Sequence, residues 1–234
     1  RSVLVVMGHQ CNWELYTSLP DLKNHYGLKM DNKHFYYVYK KMSGSVSDMV
    51  INRIRTKHNA CVLVEKNQIV RHLLRNKDEG GVYYFIADQF PDRGAGLSME
   101  FMNQPTRVFN GVEELARKLS LPVVFFSVDK VKRGLYRSEY VKICDDAAKT
   151  EKGFVTREYV RLLEESINNN KSNWLSHRAG RDVRGGQRRG PCPGLQQHVV
   201  HLPPCALMRY SPLKMFSPVA ASREKATPVA ELSP

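Results

Sequence analysis

His9 and Glu14 lie five residues apart in the stretch Gly8-His9-Gln10-Cys11-Asn12-Trp13-Glu14. Together they offer an imidazole and a carboxylate, the parts of a general base. On one continuous helix, residues five apart point about 140° away from each other, so the two side chains could not meet. A turn between a strand and a helix removes that obstacle. A carboxylate on one ring nitrogen would fix the tautomer and leave the other nitrogen to take a proton from a hydroxyl. The competing reading is a histidine satisfied by the backbone at a strand end, with a glutamate favoured by a helix dipole.

The flanking residues supply the required bend. Val3-Leu4-Val5-Val6-Met7 is short, apolar and without helical period, so it reads as a buried strand. Gly8 ends the strand, and Asn12 is a suitable N-cap for a helix beginning near Trp13. Further on, 34–40, 61–64, 82–87 and 121–128 read as strands, with 136–143 as an antiparallel strand. Residues 43–57, 68–76, 112–119 and 156–167 read as helices, the first with Met49, Val50 and Ile54 on its apolar face. Alternation of helices with continuous apolar strands argues for a layered α/β fold around a largely buried sheet. Ligands of such sheets bind beyond the carboxyl ends of the strands. Three strands end there in His9, in Asp88-Gln89, and in Asp129-Lys130 with Arg133 close behind.

The chain has 234 residues, a net charge of +13 and a pI of about 9.6, which points to acidic partners: phosphorylated lipid head groups, an acidic carrier protein or nucleic acid. Five cysteines without a CxxC pair or a disulfide framework fit a reducing compartment. No apolar run reaches the ~18 residues of a membrane span. The chain starts inside a strand without an initiator Met, and is read as a fragment lacking its natural N-terminus. Arg53, Arg55 and Lys57 cluster near one helix end, where guanidinium forks would match phosphate oxygens or simply face water; Arg93, Lys130, Lys132 and Arg133 allow the same two readings. Asp88 could equally be an Asx-turn residue.

G-H-x-x-N-W-E resembles the His-x4-acid box of the glycerolipid-type acyltransferases, in the form typical of the lipid A biosynthesis (lauroyl/myristoyl) acyltransferases. The resemblance extends over roughly residues 3–178. Val38-Tyr39-Lys40-Lys41 is similar to the family's V-Y-R-x segment, with Lys for Arg; Arg55-Thr56-Lys57-His58-Asn59 resembles its R-x-[RK]-x-G block, with Asn59 for Gly. Ala87-Asp88-Gln89 followed by Pro91 matches D-Q-x-P, whereas Phe101-Met102-Asn103 stands where F-x-G is expected, which puts that turn in question. Leu115-Ala116-Arg117-Lys118 with Pro122-Val123-Val124, and Trp174-Leu175-Ser176-His177-Arg178, resemble the family's later motifs.

The resemblance implies an acyltransferase domain over 1–178 that moves a fatty acyl chain from an acyl carrier protein thioester to a hydroxyl of a phosphorylated glucosamine lipid precursor of lipid A. His9 would be the base and Glu14 its orienting partner, with Asn12, Arg55, Lys57, Asp88, Gln89, Lys130 and Arg133 as candidates for substrate contact. No cofactor or metal is called for, since a thioester is already activated. The location implied is the cytoplasmic face of the inner membrane, held by an anchor outside this fragment. A related enzyme acting on another glycolipid, such as a mannosylated phosphoinositide, would share the motif and differ only in its acceptor pocket.

The pattern stops at Ala179. Residues 179–234 hold eight of the twelve prolines and lack hydrophobic period, so a disordered tail or an out-of-frame reading is expected. Cys192, His198, His201 and Cys205 fit no common zinc spacing. The Arg-Gly cluster leaves a second class of function, a non-catalytic basic module for nucleic acid, which deletion of the tail would abolish while sparing acyl transfer. On the acyltransferase reading no nucleic acid is expected.

Overall fold

The structure, a computed structural model, describes residues 1–11, 13–18, 34–42, 44–56, 61–89, 91, 96–132 and 135–174. The expectations placed on Asn12, Lys57, Arg133 and the segment 179–234 lie outside the described residues. In chain order come strand β1 (Val3–Met7), a 3₁₀ turn (Trp13–Ser18), β2 (Phe35–Tyr39), helix α1 (Ser45–Arg55), β3 (Val62–Glu65), α2 (Ile69–Arg75) and β4 (Val82–Ile86). There follow β5 (Leu97–Phe101), β6 (Gln104–Val108), α3 (Gly111–Lys118), β7 (Val123–Lys132), β8 (Leu135–Cys144) and α4 (Phe154–Asn169).

Six strands form one sheet in the order β3-β2-β4-β1-β7-β8, and β5 pairs with β6 separately. The first five strands of that order are mutually parallel, and β8 closes the edge antiparallel to β7. β1 is therefore interior, with Met7 opposite Ile86 of β4 and Val6 opposite Phe125 of β7. Its side chains alternate between two cores. Leu4 and Val6 pack with Ile69 of α2, Leu115 of α3 and Leu163 of α4, while Val5 and Met7 pack with Tyr16, Phe35, Tyr37, Tyr84 and Phe126. Both faces of the strand are covered, which is why its sequence is apolar without alternation. The expected layered α/β fold is what the chain adopts.

Two sequence expectations change. The segment 97–108 is a hairpin, and its turn residues Met102 and Asn103 both have positive φ, 52° and 57°. Two left-handed residues between paired strands make the turn whose twist suits a hairpin, so Asn103 serves where glycine was expected. The apolar face of α1 does not point into the core. Val46, Met49, Val50 and Ile54 are 48–66 % exposed, whereas Asp48 and Asn52 lie on the better-covered side and bond to each other at 3.0 Å. Periodicity locates an amphipathic face but carries no information on what that face meets.

Candidate active site

The carboxyl ends of β1 and β4 lie side by side because the two strands are parallel and in register. The chain leaves β1 through Gly8 into His9, and leaves β4 through Ala87 into Asp88. The amide of Ala87 donates to the carbonyl of Met7 at 3.0 Å, carrying the pairing one step past the strands. Gly8 lets α4 and Asp88 pack close to the backbone here. A Cβ on it would stand 2.7 Å from Leu163 Cδ1 and 3.2 Å from Asp88 Oδ2.

Asp88 grips His9 at two points. Its Oδ2 accepts the backbone N–H of His9 at 2.7 Å, and its Oδ1 lies 2.5 Å from His9 Nδ1. Trp174 Nε1 donates to the same Oδ2 at 3.1 Å. The two side chains are almost out of water, at 8 % exposure for His9 and 2 % for Asp88. A carboxylate is an acceptor only, so the Nδ1 contact assigns a proton to Nδ1 and the lone pair of the neutral ring to Nε2. The amide nitrogen of Gln89, 3.5 Å from Nε2, presents a donor to that lone pair. Trp13 stands edge-on to the imidazole, with centroids 5.1 Å apart at 78°.

Around this pair the backbone is fastened from below. Tyr159 Oη donates to the Met7 carbonyl at 3.2 Å, and Tyr16 Oη donates to the Gln10 carbonyl at 3.1 Å. Burial pushes the Tyr159 hydroxyl well above its ordinary range, and the negative charge of Asp88 adds to the effect, so the group remains a donor. Gln10, 4 % exposed, donates through Nε2 to Ser166 Oγ at 2.9 Å and forms an isolated antiparallel bridge with Trp174. Cys11 donates to the Val128 carbonyl at 3.2 Å, and burial, as the leading cause, raises its thiol to about 11.

The structure thus brings His9, Asp88 and Gln89 together. Glu14 lies in the 3₁₀ turn that follows, but its side chain lies outside the described residues. Lys130 extends along β7 beyond Val128, on the same edge as His9, and is exposed. Arg55 is not brought to His9. It ends α1, and its carbonyl is 3.8 Å from Cys61 Sγ just before β3, at the edge where the parallel strands begin. Sequence reasoning missed the contact between Asp88 and His9 and the role of Trp174 behind it. A signal exists for the first, since Asp88-Gln89 falls at the tip of an apolar strand. What the sequence does not reveal is that β4 is the neighbour of β1.

A family model described as bacterial lipid A biosynthesis acyltransferase matches residues 1–177. The chain belongs to that family and is an acyltransferase, with an acyl donor and a lipid acceptor as its substrates. No curated protein matches it significantly. Among solved structures it is similar to the 1-acyl-sn-glycerophosphate acyltransferase PlsC from Thermotoga maritima, at 13 % identity and a TM-score of 0.39 over 74 % of this chain and 68 % of that one. A likeness at that level adds nothing to the family assignment.

Proposed function

We propose that this acyltransferase moves a fatty acyl group from the thioester of acyl carrier protein to a hydroxyl of a phosphorylated glucosamine lipid precursor of lipid A, at the cytoplasmic face of the inner membrane. The observation that carries the reading is the His9 imidazole held through Nδ1 by a buried carboxylate, in a chain of this family. His9 Nε2 takes the proton of the acceptor hydroxyl as its oxygen attacks the thioester carbonyl. The tetrahedral intermediate then collapses, the carbon–sulfur bond breaks, and the proton on Nε2 passes to the departing thiolate. Asp88 orients the ring and stabilises the imidazolium formed midway. Glu14 stays in the proposal, through the resemblance, as the second carboxylate of the site. Lys130 is a candidate cation for phosphate or carrier on the same edge.

Transfer is direct in this scheme. Cys11 lies two residues from His9, but a thiol held near 11 and bonded to a carbonyl is a poor nucleophile at neutral pH. The test is transfer of labelled acyl chains from acyl carrier protein to a panel of acceptor lipids. Labelling of a phosphorylated glucosamine lipid, and not of glycerophosphate or mannosylated phosphoinositide acceptors, is the expected result. Labelling of one of the other acceptors alone would reassign the substrate.

A further inference from the structure

We propose that the outward face of α1 is a membrane-docking surface whose partner is an anionic lipid bilayer. α1 is a helix of eleven residues, and none of its described side chains is buried. Val46, Met49, Val50 and Ile54 recur at helical spacing, lie within one arc of about 140° and are exposed by 66 %, 63 %, 48 % and 58 %. Met42, in the segment between β2 and α1, is also exposed, at 47 %. Four large apolar side chains on one helix face, all turned to solvent, make a contiguous patch of the kind that marks an interaction surface.

Charge selects the occupant. Lys40 and Lys41 stand exposed in the segment that leads into α1, and Arg53 is exposed within the stripe near its far end. Asp48 is the acidic residue between 40 and 55, and it is turned to the opposite side, where it accepts from the Met42 amide and from Asn52. Apolar side chains flanked by cations suit the boundary between acyl chains and anionic head groups. The apolar groups enter, while Lys and Arg place their stems along hydrocarbon and their charges among phosphates. An acidic protein would satisfy the cations but would leave this stripe of aliphatic side chains without a matching partner.

The position of α1 gives docking a purpose. β2 is parallel to β1 and β4, so Lys40, Lys41 and Met42 leave the sheet at the same edge as His9 and Asp88. α1 then packs against the 3₁₀ turn that begins four residues after His9. A bilayer on the outer face of α1 would lie beside the active-site edge, where a lipid acceptor could reach Nε2 without leaving the membrane surface. The inference rests on the acyltransferase reading for this purpose only; binding is measured without catalysis, so the two can fail separately.

The test is co-sedimentation of the 234-residue chain with vesicles of phosphatidylethanolamine containing or lacking phosphatidylglycerol. The double variant Met49→Glu/Ile54→Glu should bind anionic vesicles at least ~10-fold more weakly, and Lys40→Glu/Lys41→Glu should remove the preference for phosphatidylglycerol. Residues 179–234 are common to every protein compared, so differences report on α1. The indole fluorescence that Val50→Trp adds should be quenched by lipids brominated on the acyl chain, which provides a reading independent of how well the glutamate variants fold. Binding by a folded double variant equal to that of the parent, or added emission in the Val50→Trp variant untouched by brominated lipid, would overturn the proposal. So would variants that bind vesicles normally but use acyl carrier protein poorly, since the surface would then belong to the protein donor.

Discussion

The carboxylate of Asp88 holds His9 by both its backbone amide and its ring, Oδ2 at 2.7 Å from the one and Oδ1 at 2.5 Å from Nδ1. Two-point attachment removes freedom at the main chain and at the imidazole together, so the histidine is oriented before any substrate arrives. The residues that share this grip can be separated by substitution.

His9→Ala removes the proposed base and should lower turnover by ~100-fold or more in a protein that still folds. Steady-state transfer with saturating donor is the measurement. Turnover near that of the parent would end the general-base mechanism.

Asp88→Asn tests the tautomer. The amide can still accept from the His9 N–H, but if its NH₂ faces Nδ1 the ring proton is driven to Nε2, where the lone pair is needed. Turnover should fall by ~100-fold or more with a smaller change in KM. Glu14→Gln should cost about as much if Glu14 is the second carboxylate of the site, and an unchanged rate would reduce it to a residue favoured by the helix dipole.

Trp174→Phe keeps a ring against Phe101, which it meets edge-on at 5.8 Å, and removes only the donor to Asp88. Asp88 keeps its two bonds to His9, so the expected loss is modest: turnover down by ~3- to 10-fold, KM unchanged, and stability lowered by about 1 kcal/mol. A change in KM alone would place Trp174 in substrate binding instead.

Cys11→Ser should retain most of the activity, and no acyl-enzyme should accumulate in rapid-quench experiments. Since the thiol is raised to about 11, alkylation of the native protein at Cys11 should stay slow at pH 8 and accelerate as pH climbs towards that value. Fast alkylation at pH 7, accompanied by an acyl-cysteine, would replace direct transfer with a two-step route.

Glu113→Gln addresses stability rather than chemistry. Glu113, 3 % exposed on α3, accepts from the Gly153 amide at 2.6 Å and from the Thr156 amide at 3.0 Å and hydroxyl at 2.5 Å. It thus caps α4 from a neighbouring helix. An amide in its place turns one acceptor into a donor facing donors, at a cost of about 2–4 kcal/mol in urea unfolding. Activity per folded molecule should be unchanged, because Glu113 lies behind the site.

Local signals in the sequence locate most elements. The apolar runs of β1, β4 and β7 are continuous because both faces of these strands are buried, and continuity survives in a single sequence. The hairpin β5–β6 is harder to see: its strands are half-exposed, and Asn103 disguises a turn usually marked by glycine. At the site, the His-x4-acid spacing draws attention to a partner five residues away, whereas the one observed on Nδ1 comes from 79 residues further on. Nothing local encodes that β4 rather than β2 lies beside β1, since strand order is set by how crossovers pack. The orientation of α1 escapes for a similar reason.

That strand order also bears on synthesis. β1 is made before either of its neighbours, β4, beginning at Val82, and β7, beginning at Val123. At translation rates of ~5–20 residues per second, its second edge stays uncovered for on the order of 10 s after it leaves the ribosome. For that interval a five-residue apolar strand offers unpaired N–H and C=O groups to any passing chain. The nascent enzyme should therefore need a holdase, and its yield should improve when elongation through residues 8–122 is fast and the early strand is shielded.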